Sequence, residues 1–136
     1  WQIAGCPHHG PGLAIGSDGT RHAVWYEAKG EPTIWYGQLH PGHRPKHSLA
    51  VATAGASHAD VAVRGRDVWV AWNQVSADGY VLMLRRSTDN GVHFDAAHEV
   101  ARSQGAVASP QLLLKQNRTF VAWNTAGGFR LIEVAR

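Results

Sequence analysis

The side chains best suited to chemistry in this chain are its single cysteine and nine histidines. Cys6, His8 and His9 stand together in the run Cys6-Pro7-His8-His9, and His58 recurs in Gly55-Ala56-Ser57-His58-Ala59. A thiolate and imidazoles on short, proline-stiffened backbone suit a soft or borderline metal, with copper(I) and zinc the natural candidates. The competing reading makes Cys6 a small buried apolar residue and leaves the histidines hydrogen-bonding at a channel mouth. One cysteine excludes both an intrachain disulfide and a multi-cysteine zinc site. His40, His43 and His47 alternate with Pro41, Arg44, Pro45 and Lys46, which reads as a solvated basic loop. A second set of candidates is polar: Tyr26 with Glu27, Asn73 with Gln74, and Asn124, each set beginning one residue after a tryptophan. These are expected to line a ligand-binding face.

The elements that position these residues are set by a repeat. Gly10–Ile15 leads to Trp25, Ala59–Val63 to Trp72, and Ser109–Leu113 to Trp123, a period of about 50 residues typical of propeller blades. Each unit reads as an apolar strand, a four-residue polar turn and a second strand that reaches the tryptophan. A third strand follows: Thr33–Tyr36, Tyr80–Leu84 and Phe129–Val134. Helical periodicity is absent over any useful window. Short apolar runs at Trp1–Ala4, Leu49–Thr53 and Glu99–Arg102 precede the three units, so each repeat is expected to begin with an outer strand. The expected fold is an all-β propeller segment of three four-stranded blades, near 1–47, 48–98 and 99–136, forming about half of a six-bladed ring. Aligning Pro11 with Asp60 places His9 and His58 at equivalent positions, which brings them toward one axis. The tryptophans repeat within the strand core, so they are expected to pack between blades rather than to stack on sugars.

Thirteen basic and ten acidic residues give a formal charge of +3, spread along the chain. No basic face with interleaved aromatics marks a nucleic-acid site. No run approaches the ~20 apolar residues of a membrane-spanning helix, and no membrane association is expected. The sequence opens at Trp1 without a leader, so it is expected to be a processed product or part of a longer chain.

Ser87-Thr88-Asp89-Asn90-Gly91-Val92-His93-Phe94 matches the pattern S-x-D-x-G-x-x-[W/F] and resembles the Asp box of sialidase-like propellers, also called BNR repeats. The resemblance implies that Ser87, Asp89, Gly91 and Phe94 are structural and lie opposite the ligand face. Sialidase catalysis also requires an arginine triad, a tyrosine–glutamate pair and an acidic aspartate. Tyr26-Glu27 with Arg21, Arg85, Arg86 and Arg130 does not reproduce that arrangement. The leading expectation is therefore a non-catalytic ligand- or metal-binding propeller, exported to a periplasmic or extracellular setting, with a small ligand or glycan at its upper face. The alternative is a sialidase-type glycoside hydrolase to which this chain contributes part of the site. Since closed propellers use about 4–8 blades, the chain is expected to need either a second copy of itself or a missing N-terminal half.

Overall fold

The computed structural model describes residues 10–28, 30–40, 42, 46–52 and 55–135. Eleven strands and no helix make up the described chain. The first sheet contains β1 (Gly12–Ile15), β2 (Arg21–Glu27), β3 (Thr33–Leu39) and β4 (Lys46–Ala52), antiparallel and in sequence order. The second contains β5 (Ala56–Arg64), β6 (Asp67–Ser76), β7 (Gly79–Ser87) and β8 (His98–Ser103) in the same order. The third has three strands, β9 (Gln111–Lys115), β10 (Arg118–Thr125) and β11 (Gly128–Ala135). This is an all-β partial propeller.

Sheet boundaries differ from the repeat boundaries by one strand. Lys46–Ala52 pairs with β3 and His98–Ser103 with β7, so each outer strand ends the sheet before it instead of opening the next. The reason is connectivity: a loop after β3 or β7 folds the next strand back as an antiparallel neighbour. The link to the following sheet then runs from the outer edge to the innermost strand. The proposed outer strand at Trp1–Ala4 lies outside the described residues.

The innermost strands β1, β5 and β9 approach one another across the three sheets. Gly12 permits this approach, because a Cβ there would lie 3.2 Å from Asp60 Oδ1 and 3.3 Å from Asp60 Cα. Two apolar layers hold the sheets together. Val24, Ile34 and Tyr36 pack against Val61, Val68, Val70 and Trp72 between the first two sheets. Trp69, Leu82 and Leu84 pack against Leu112, Val121 and Trp123 between the second and third. Because the middle sheet is covered on both faces, β6 is buried without interruption from Val68 to Asn73. A strand with one wet face would alternate instead.

Candidate functional site

Antiparallel connectivity gives the sheets two unlike rims. The links from β4 to β5 and from β8 to β9 lie on one rim, here the link face, with the β2–β3, β6–β7 and β10–β11 connections. The remaining hairpin turns form the opposite turn face. Several polar candidates stand on the link face, near the ends of β2, β6 and β10 and the start of β5.

There the β5–β6 ladder shifts register between Ser57 and Asp60, which leaves an extra residue in β5. His58 sits in this bulge in the left-handed region, at φ 51°, and its Nδ1 lies 3.1 Å from Ser57 Oγ. A non-glycine residue held at positive φ is conformationally costly, and such bulges re-aim side chains near functional sites. The bulge delivers Asp60 to the point where the innermost strands meet. Asp60 is partly buried, and its Oδ2 accepts the Leu112 backbone N–H at 2.7 Å, which joins β5 to β9. Burial raises its pKa above the usual carboxylate range, against the opposing hydrogen bonds from the Leu112 and Val61 amides. Among the described residues Asp60 is the one acidic side chain on an innermost strand. A carboxyl so placed can accept hydrogen bonds from a ligand's hydroxyls or hold a proton for transfer.

In the sequence Asp60 marks only the alignment of the repeats and is not among the expected site residues. The signal lay in the register. Gly12, Asp60 and Gln111 pair with Val24, Ala71 and Ala122, the residues just before each tryptophan. Two of the three equivalent positions lack charge, so the carboxylate stands out. The same register makes Asp60 equivalent to Gly12 instead of Pro11. The equivalence of His9 and His58 by counting back from Pro11 and Asp60 therefore shifts by one.

The other sequence candidates divide. Tyr26 and Glu27 end β2 on the link face and are partly buried. Gln74 is also partly buried, and its Oε1 accepts the Trp72 indole N–H at 3.3 Å. Asn124 is exposed at the end of β10, and its backbone carbonyl accepts the Ala108 N–H at 2.9 Å. Asn73 is turned inward and fully buried. Its Nδ2 donates to the Ala108 carbonyl and its Oδ1 accepts the Trp123 indole N–H, both at 3.0 Å. Asn73 is thus committed to the joint between the second and third sheets, and does not line a ligand surface. Cys6, His8 and His9 lie outside the described residues. Among the described residues, no group of three His, Cys, Asp or Glu side chains is arranged to hold a metal.

The turn face is built differently. Ser87 Oγ accepts the Gly91 N–H at 2.9 Å and donates to Asp89 Oδ1 at 2.7 Å. Asp89 Oδ1 also accepts the backbone N–H groups of Val92 and His93, at 3.1 and 2.9 Å. These bonds, with His93 Nδ1 at 2.7 Å from Oδ2, hold the Asp89 carboxyl well below the usual range. Gly91, at φ 82°, lies so close to the Tyr36 hydroxyl that any Cβ would overlap it. Phe94 meets the Tyr36 ring edge-on, with centroids 4.9 Å apart. A cavity of about 600 Å³ opens beside this turn, lined by Tyr36, Gln38, Leu49, Arg66, Asn90 and Val92 among others. Its two acidic lining side chains are both bonded within their own turns, Asp18 to Thr20 and Asp89 to the Val92 and His93 N–H groups.

The fold places the chain among partial β-propellers. Comparison with solved structures agrees on the fold. A GH43 endo-arabinanase from Bacillus licheniformis matches at TM-score 0.57 and 12% identity, over 90% of this chain and 52% of that one. A bifunctional GH43-CE protein from Bacteroides eggerthii matches at 0.60 and 14%, over 93% of this chain and 18% of that one. An exo-1,5-α-L-arabinanase from a bovine ruminal metagenomic library matches at 0.56 and 12%, over 90% and 52%. These arabinanases carry a five-bladed β-propeller, a fold related to that of the sialidases. The chain spans about half the length of the two arabinanases and 18% of the bifunctional protein. No family model and no curated protein matches the sequence.

Proposed function

We propose that this chain is part of an exported carbohydrate-binding propeller whose ligand sits on the link face, above the meeting point of β1, β5 and β9. The observation that carries this reading is Asp60: a partly buried aspartate fixed by the Leu112 N–H, and the one acidic side chain of the innermost strands among the described residues. His58, Tyr26, Glu27 and Gln74 supply further polar groups on the same rim. Saccharides are rich in hydroxyl donors, and a fixed carboxylate with amides and a phenol is a suitable acceptor set. The glycoside-hydrolase folds among the solved neighbours and the sialidase-like turn at Ser87–Phe94 support the carbohydrate class and a periplasmic or extracellular setting.

Glycoside hydrolysis is the second reading, and the hydrolase neighbours favour it. Such chemistry ordinarily uses two carboxyls flanking the scissile bond. Asp60 would be one, and Glu27, at the same rim, is the candidate for the other. The remaining proposal, copper or zinc held by Cys6, His8, His9 and His58, draws on the left-handed His58 backbone.

Calorimetric titration with arabino- and sialo-oligosaccharides, alongside turnover of the corresponding fluorogenic glycosides, separates these readings. Saturable binding without turnover is expected. Turnover abolished by Asp60→Asn would replace the binding reading with the hydrolytic one. Copper(I) or zinc titration of the wild type and Cys6→Ala tests the metal site, which requires tight binding that the variant loses.

A further inference from the structure

The two outermost sheets expose large apolar side chains. Phe129 and Leu131 on β11 are 69% and 55% exposed, and Leu13 and Ile15 on β1 are 57% and 63% exposed. These faces are the two halves of a joint that the molecule already builds once internally.

The register makes the correspondence specific. Ala71 and Ala122 are equivalent, each preceding its tryptophan and pairing with Leu84 and Leu131 respectively. Two residues on, Asn73 pairs with Leu82 and Asn124 with Phe129. Two residues back stand Trp69 and Phe120. On the second sheet, Trp69, Leu82 and Leu84 are fully buried beneath the third sheet, and Asn73 receives the Trp123 indole N–H. On the third sheet the equivalent Phe120, Phe129 and Leu131 have no such cover among the described residues, and Asn124 is exposed.

The first sheet carries the complementary half. Gly12 and Gln111 are equivalent, so Leu13 matches Leu112, which packs in the layer between the second and third sheets. Trp25 matches Trp123. Val24 packs toward the second sheet, so Trp25, one residue further along β2, belongs to the opposite, outward face.

We propose that a second copy of this chain docks head to tail, the third sheet of each packing on the first sheet of the other, with Asn124 accepting the Trp25 indole N–H of its partner. Both halves of one joint on one chain are what a heterologous contact needs, and twofold closure would bury both pairs of faces in a ring of six sheets. Each ring would carry two Asp60 carboxyls around one axis.

Sedimentation velocity of the 136-residue chain across a dilution series tests this, and it requires no ligand. The expected species has twice the 14.7 kDa chain mass. Leu131→Lys, at an exposed position, is expected to give a monomer with an unchanged circular dichroism spectrum. Asn124→Leu and Trp25→Phe are each expected to raise the dissociation constant about tenfold, with the double variant no weaker than either. A monomer at every concentration would overturn the proposal, as would a ladder of larger oligomers. A dimer indifferent to Leu131→Lys and Asn124→Leu would also overturn it.

Discussion

The two rims of the molecule use the same kinds of side chain for opposite purposes. On the turn face, Ser87 and Asp89 spend their oxygens on backbone N–H groups a few residues away, and the turn is closed by its own bonds. On the link face, Asp60 reaches across to a strand of another sheet and remains partly exposed. Beneath it, Asn73 is fully buried and bonded on both sides of its amide. A carboxylate satisfied by its own turn is architecture. A carboxylate that joins separate strands ties two sheets together, and its other oxygen is the acceptor that the proposed ligand would use.

The joint beneath the link face should be the most sensitive part of the molecule. Trp123→Ala removes a fully buried indole and leaves Asn73 Oδ1 without its donor. Chemical denaturation is expected to register a loss of about 3–5 kcal/mol, a large share of the stability of a domain this size. A loss below about 1 kcal/mol would mean that the third sheet is not held by this joint.

On the turn face, Ser87→Ala leaves the Gly91 N–H unpaired in a buried position. A destabilisation of about 1–3 kcal/mol is expected by the same measurement. Because the Asp89 carboxyl is held below its ordinary range, its contribution is present above the unfolded pKa and disappears as pH falls through the folded value.

Between the rims, His22 is fully buried with its Nδ1 2.6 Å from the Tyr36 hydroxyl. Burial raises Tyr36 to about 12, so the phenol keeps its proton beside the imidazole. Burial lowers the pKa of His22 below 6.5, so the unfolded chain takes up this proton at a higher pH than the folded one. Stability from this source is complete above 6.5 and declines as pH falls below it. Thermal melts of His22→Gln should show a shallower decline across that window than the wild type. An unchanged slope would assign the acid sensitivity elsewhere.

How much of this was legible in the sequence depended on whether spacing or pairing carried the information. The tryptophan repeat and the hairpin strands follow from local alternation and turn residues, so the all-β propeller could be read directly. Pairing partners could not. Nothing local says whether Lys46–Ala52 bonds to the strand before or after it, and the answer moves every sheet boundary. The extra residue at His58 likewise leaves no mark on composition. Asn73 and Asn124 look alike in sequence because they are equivalent. Only the presence of a third sheet over one of them makes the first a buried latch and leaves the second exposed.

The smallest structural change should test the account most directly. Asp60→Asn keeps an oxygen for the Leu112 N–H, and is expected to alter stability by less than about 1 kcal/mol. Amide chemical shifts of wild type and variant, recorded during titration with arabinotriose and with a sialyl trisaccharide, decide between the rims. At least one sugar is predicted to move the wild-type signals of residues 55–60 and 104–110, leave 87–94 unmoved, and lose its effect in Asp60→Asn. Shifts centred on 87–94, or no response to either sugar, would contradict the assignment of the link face as the ligand face.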